Sequence, residues 1–116
     1  MKNIKNILIC GAGMMGKNIG FVFASNPDYQ IAMYDLYPTD VEAGIRTNTK
    51  QLVEKGVMTD ADVTDRLSRI HFTTDIDSDL VKNADFVIEA VFEDMKIKRE
   101  TFAKLEERCA EDTIFC

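Results

Sequence analysis

The residue pattern predicts an α/β fold in which a doubly wound, mostly parallel sheet carries helices on both faces, with a helical pair inserted after the second strand. Three observations predict it. The apolar run Ile4 to Cys10 leads straight into Gly11-Ala12-Gly13-Met14-Met15-Gly16, and an apolar-periodic segment containing Ile19, Val22 and Phe23 follows. A second apolar run, Gln30 to Tyr34, ends on an acid, Asp35. A third, Phe86-Val87-Ile88-Glu89-Ala90-Val91, is nearly continuous in apolar residues, as strands of a sheet covered on both faces are.

The first strand is read from Ile7, Leu8 and Ile9, apolar on both faces. The three glycines after it serve separate ends. Gly11 allows a tight turn, Gly13 lets a pyrophosphate approach the backbone, and Gly16 lets helix and strand pack closely. The helix start then offers unpaired N–H groups and a positive dipole end to phosphate. That helix is expected from Met14 to about Ala24, with Gly20 extending the smooth face one turn beyond Gly16. Asn26-Pro27-Asp28 stops it, because proline lacks the N–H and disfavours helix in the residue before it.

Asp35 closes the second strand about 20 residues beyond the glycines, where a carboxylate accepts the ribose hydroxyls of an adenosine. A carboxylate there repels a 2′-phosphate, and no Arg follows in Leu36-Tyr37-Pro38. NAD is therefore expected in preference to NADP, and the fold is a Rossmann-type one.

From Thr39 the spacing of Val41, Ile45, Leu52 and Val53 predicts a long helix ending at Gly56, a natural left-handed cap. Thr59-Asp60-Ala61-Asp62 reads as a capping box, with Asp in the usual Glu or Gln place, opening a second helix that ends near Arg69. Two helices thus stand where one crossover helix would suffice. A short strand from Ile70 to Phe72 and a brief helix around Ser78 to Val81 come next. Asn83-Ala84-Asp85 then turns the chain into the Phe86 run, and Asp94 is placed as the cap of a helix on which Phe102, Leu105 and Cys109 share a face. Asp112 to Cys116 begins a fifth strand, inside which the sequence stops. The expectation is a single domain, 1–116, truncated at that strand.

Composition sets the outer bounds. With 116 residues, 46% hydrophobic and 29% charged, the chain suits one soluble globular domain. A net charge of −6 argues against a nucleic-acid interface, which needs basic stripes. No run is long and apolar enough for a secretory leader or a membrane span, so neither nucleic acid nor membrane is expected as a partner and a cytoplasmic location is. Cys10, Cys109 and Cys116 form no C-x-x-C pair, and their odd number fits reduced thiols packed as small hydrophobes.

Rival chemistry is thin. Gly11 to Lys17 also fits the start of a phosphate-binding P-loop, but Asn18 stands where Ser or Thr must hold magnesium. Lys17 is then a solvated helix residue. The one histidine, His71, falls at the amino end of a strand, away from the ligand edge, and no metal-ligand spacing or nucleophile elbow is visible. Past the fourth strand, Glu89, Glu93 and Asp94 cluster with Lys96 and Lys98. Glu93 and Lys98 suit contact with the nicotinamide half of a dinucleotide, and equally suit helix-start acids followed by solvated lysines.

The chain resembles the amino-terminal part of the NAD-dependent 3-hydroxyacyl-CoA dehydrogenase family. The resemblance is carried by Gly11 to Gly16, Asp35, the Lys55-Gly56 turn between two long helices, the block Asp85 to Asp94, and Ile97-Lys98-Arg99-Glu100-Thr101-Phe102. It implies that Gly11, Ala12, Gly13, Met14, Met15 and Gly16 hold the pyrophosphate, Asp35 the adenosine ribose, and Ala90, Glu93 and Lys98 other parts of the cofactor. Lys55 matches a position associated with coenzyme A, and Asn48 aligns with another. The implied reaction interconverts 3-hydroxyacyl-CoA and 3-oxoacyl-CoA, with short-chain substrates of the 3-hydroxybutyryl type, in an enzyme that is a homodimer or larger. The family's catalytic His, its Glu partner, the nearby Ser and Asn, and a helical dimerisation domain all lie beyond the position matched by Cys116, so no catalytic residue is assigned here. Two other readings stay open: a free-standing NAD(H)-binding or redox-sensing module without catalysis, and a dehydrogenase acting on another 3-hydroxy acid.

Overall fold

Residues 4–90 and 95–115 are described by a computed structural model, the side chains of 95–98 excepted. The chain runs β1 (Asn6–Cys10), α1 (Met14–Phe23), β2 (Gln30–Tyr34), α2 (Val41–Glu54), α3 (Asp60–Leu67), β3 (Ile70–Thr73), α4 (Asp79–Lys82), β4 (Phe86–Glu89), α5 (Met95–Arg108) and β5 (Ile114–Phe115). The strands form one sheet in the order β3-β2-β1-β4-β5, with every neighbouring pair parallel. This is the doubly wound sheet expected from the residue pattern.

β1 lies at the centre because its residues are apolar on both faces. Ile7 and Ile9 point into one core with Phe21 of α1, Ile45 of α2 and Val63 of α3. Leu8 and Cys10 point into the other, with Val81 of α4 and Leu105 of α5. Alternation along a strand divides these two layers. In the second layer Phe102 and Cys109 pack beside Leu105, the predicted shared face of α5. The winding reverses between β1 and β4, so the crevice at their carboxyl ends is the topological switch point where such sheets bind ligands.

Several boundaries move by a residue or two. α2 starts at Val41, two residues after Thr39, because Asp40 is its cap, the side chain accepting from the Ala43 N–H at 3.0 Å. α3 ends at Leu67 with Ser68 as its cap, near the Arg69 expected, and the Arg69 carbonyl accepts from the Ile31 N–H of β2 at 2.8 Å. α1 ends at Phe23 with Ala24 as its cap, and α4 starts at Asp79 because Ser78 is the cap. β4 ends at Glu89, and Val91, Glu93 and Asp94 lie outside the described residues. The capping box of α3 forms as expected: the Asp62 N–H donates to Thr59 Oγ1 at 3.1 Å, and the Thr59 N–H to Asp62 Oδ2 at 2.9 Å. Gly56 has φ 73°, the left-handed cap predicted for α2.

The helical pair is docked along α1. Arg66 of α3 lies 4.5 Å from the centroid of the Phe21 ring and donates to the Phe21 carbonyl at 3.3 Å. Arg69 donates twice to the Ala24 carbonyl, at 2.9 and 2.5 Å. These contacts supply donors to carbonyls at the end of α1 that have no partner within the helix.

Candidate functional site

The site is built where β1 ends. Gly11 has φ 111°, a conformation that L side chains rarely adopt, and its N–H donates to the Tyr34 carbonyl at 2.7 Å. A Cβ on Gly16 would overlap the Gly11 carbonyl oxygen, so only glycine lets the helix close onto the turn. A Cβ on Gly13 would meet nothing within 4 Å. That residue opens onto free space, as a backbone must where a ligand is to come close. Met14 and Met15 are exposed on the same rim.

The start of α1 differs from those of the next three helices. α2, α3 and α4 are capped by the side chains of Asp40, Thr59 and Ser78, whereas α1 has Gly13 at its cap position and no side-chain hydrogen bond. Its first-turn N–H groups and positive dipole end therefore face the crevice without a built-in acceptor.

Asp35 closes the other side. Its Oδ2 accepts from the Ala12 N–H at 2.9 Å, and Oδ1 accepts from the Tyr37 N–H at 3.3 Å. The carboxylate is held at the rim of the glycine turn with lone pairs to spare on both oxygens. Ala90 borders the turn opposite, its N–H donating to the Cys10 carbonyl at 2.7 Å. The structure thus brings together Gly11 to Gly16, Asp35 and Ala90. Lys98 sits in the first turn of α5, and Glu93 lies outside the described residues.

Beneath the turn Cys10 is fully buried, and that burial first, then neighbouring Cys109, Glu89 and Asp35, pushes its thiol up to about 12. Tyr34 is also raised, by burial and then by Cys10 and Asp35. These two side chains under the crevice are therefore uncharged at neutral pH. Cys109 is half-buried with its thiol raised by burial, and Cys116 lies outside the described residues.

Other candidates fall elsewhere. His71 is exposed and lies 3.0 Å from Gln30 Oε1, at the amino end of β2. Lys55 is the exposed cap of α2, and Asn48 donates to Asn18 Oδ1 at 3.4 Å, so neither joins the glycine cluster. An open cavity of about 620 Å3 lies on the flank of the helical pair, walled by Val41, Arg46, Leu67 and Phe72, and neither the glycine turn nor Asp35 lines it.

Lys17 departs from expectation. It is not a freely solvated residue: its tail is half-buried against Gly44 of α2, and Nζ donates to Thr39 Oγ1 at 3.3 Å. The signal was a glycine far along the chain, which the local spacing around Lys17 cannot reveal. The arginines that hold α1 were missed too, although Arg66 and Arg69 lie one turn apart at the end of a helix.

An uncapped helix start, a glycine turn open at Gly13 and a carboxylate tied to that turn define a dinucleotide-binding domain. The family profile described as 3-hydroxyacyl-CoA dehydrogenase, NAD binding domain, matches residues 6–116. The chain belongs to the 3-hydroxyacyl-CoA dehydrogenase family, as its NAD-binding domain. A probable 3-hydroxybutyryl-CoA dehydrogenase from Bacillus subtilis is 37% identical over 114 residues, covering 96% of this chain and 39% of that protein. A probable 3-hydroxyacyl-CoA dehydrogenase from Caenorhabditis elegans is also 37% identical, covering 91% of this chain and 36% of its own length. Among solved structures, 3-hydroxybutyryl-CoA dehydrogenase from Escherichia coli superimposes with a TM-score of 0.84 at 32% identity, over 98% of this chain and 24% of that one. The (S)-3-hydroxybutyryl-CoA dehydrogenase from Ralstonia eutropha gives 0.85 at 28% identity, over 97% of this chain and 40% of that one. The chain therefore spans well under half the length of these relatives. Among the described residues, no helix is long and apolar enough to cross a membrane.

Proposed function

We propose that this chain holds NAD for the interconversion of 3-hydroxyacyl-CoA and 3-oxoacyl-CoA, with short acyl chains as in 3-hydroxybutyryl-CoA. The observation that carries the reading is the start of α1, which lacks a side-chain cap and faces the opening at Gly13. The names of the relatives supply the substrate class.

In this reading the N–H groups after Gly13 bind the pyrophosphate, with Gly11, Ala12, Met14, Met15 and Gly16 shaping the cradle. Asp35 accepts from the adenosine ribose and repels a 2′-phosphate. Ala90 borders the cofactor past β4, and Glu93 and Lys98 meet its nicotinamide side. NAD, once bound, accepts or returns the hydride. Lys55 and Asn48 meet coenzyme A, Lys55 as a cation facing phosphate. The domain occupies 1–116, and the full-length enzyme is a homodimer or larger. In this reading no catalytic residue is assigned to the chain, which binds the cofactor without turnover by itself.

Calorimetric titration with NADH and NADPH, on wild type and Asp35→Ala, tests the cofactor assignment. The expected result is preference for NADH in wild type and its loss in the variant. Equal affinity for the two cofactors in wild type would remove the role given to Asp35. Turnover of acetoacetyl-CoA with NADH by the chain alone would show that it contains catalytic groups the reading leaves out.

A further inference from the structure

Gly44 and Asn48 lie one turn apart on the side of α2 that meets α1, and Lys55, the cap of α2, follows Asn48 by about two turns. At Gly44 the Lys17 tail from α1 comes close to the backbone of α2: a Cβ there would lie 2.7 Å from Lys17 Cε, 2.8 Å from Cδ and 3.0 Å from Nζ. The Lys17 tail fills the groove that this missing Cβ leaves, and its Nζ reaches on to Thr39 Oγ1, next to the residue that caps α2. One turn along, Asn48 meets Asn18, the neighbour of Lys17. α1 begins at the cofactor cradle, and Arg66 and Arg69 grip its far end. The seat of α2 on α1 therefore sets where Asn48 and Lys55 stand relative to the cofactor.

We propose that Lys17, seated in the groove at Gly44, is a positioning residue for acyl-CoA recognition, aligning α2 with the cofactor helix. The inference rests on the proposed reading of Asn48 and Lys55 as coenzyme A contacts. It gives the lysine a role separate from phosphate binding, one in which length and reach matter because they fill the groove and span to Thr39. Gly44 has a matching role, since any side chain would displace the lysine. Alanine is the better helix former, so Gly44→Ala leaves helix stability intact while pushing the Lys17 tail out of the groove.

The test titrates acetoacetyl-CoA into the NADH-saturated chain for wild type, Gly44→Ala, Lys17→Ala and the double variant, with NADH affinity and thermal midpoint measured on each. For residues in contact, a coupling that appears as about a fivefold change is expected. Gly44→Ala should weaken acetoacetyl-CoA by about fivefold with its thermal midpoint held and NADH affinity kept within about twofold. Lys17→Ala should weaken it by about threefold, and the double variant should recover to within about twofold of wild type, because the methyl introduced by Gly44→Ala occupies the vacated groove. That recovery is a readout a merely structural role does not give. If Gly44→Ala loses its fold, the weakening in Lys17→Ala, which adds no atoms, decides. Unchanged acetoacetyl-CoA affinity in the variants, or no recovery in the double variant, would overturn the positioning role alone. Binding of NADH without any acetoacetyl-CoA binding in wild type would instead overturn the assignment of Asn48 and Lys55 as coenzyme A contacts, and the positioning role with it.

Discussion

The backbone N–H of Ala12 donates to Asp35 Oδ2 at 2.9 Å, so the acid at the end of β2 and the glycine turn after β1 are one hydrogen-bonded unit. The carboxylate does not wait in open solvent for a ribose. Its orientation is set before any ligand arrives, which reduces the ordering required on binding.

Asparagine at this position separates orientation from charge. Asp35→Asn keeps an oxygen acceptor for Ala12 but removes the negative charge. NADH binding should weaken by about 1 kcal/mol, the scale of exchanging a charged for a neutral hydrogen bond. NADPH should lose less or gain, because its phosphate no longer meets a carboxylate. Parallel titrations of the two cofactors read the ratio, and an unchanged ratio would contradict the electrostatic account.

Two glycines of the turn should fail in different ways. At Gly16 an added Cβ runs into the Gly11 carbonyl, a clash with backbone, so Gly16→Ala should cost about 3 kcal/mol or more of stability. At Gly13 an added Cβ meets nothing within 4 Å, and φ is −72°, which alanine adopts freely. Gly13→Ala should therefore melt near wild type yet bind NADH poorly. Thermal melts beside NADH titrations separate the two; a Gly13→Ala variant with full NADH affinity would place the pyrophosphate elsewhere.

Alkaline pH should act through the floor of the crevice. The Cys10 thiol rises from 9.0 to about 12 on folding, so the folded state favours the protonated form more than the unfolded state does. The stability this represents is fully present below pH 9.0 and is lost as pH rises from there toward about 12. Tyr34, also raised, adds to the same decline at the high end. Urea unfolding at about pH 7.5, 9 and 10.5 should show a falling midpoint in wild type and a shallower fall in Cys10→Ala. Equal slopes would mean that Cys10 ionises as readily folded as unfolded.

Acid should act on the helical pair. Hydrogen bonds from the Thr59 backbone and side chain hold the Asp62 carboxyl below its ordinary value near 3.8. The lowered value gives a contribution present above that ordinary pH and lost as pH falls through the folded one. Thr59→Ala should cost about 1 kcal/mol at neutral pH, as the loss of a helix cap does. The gap between wild type and variant should narrow in acid, measured by thermal melts from about pH 7 down to about pH 3.

What could be read from the residues was local. The strand before Gly11, the Thr59 to Asp62 capping box and the left-handed Gly56 each depend on neighbours within a few positions. Asp35 was legible because turn and acid stand at a characteristic separation in sequence. Lys17 was not, since its partner Gly44 belongs to another helix and a glycine there has no local reason to signal a lysine. The same holds for Arg66 and Arg69, whose acceptors are carbonyls of α1 that carry no residue identity at all.

The grip of the arginines on α1 bears on how such a domain could be shortened. A protein engineer seeking a minimal cofactor carrier would be tempted to trim α2 and α3 and splice β2 to β3. That excision would strip Ile45 and Val63 from the core and unmask the carbonyls of Phe21 and Ala24. The hairpin is extra to the simplest wiring of the sheet, yet the scaffold leans on it.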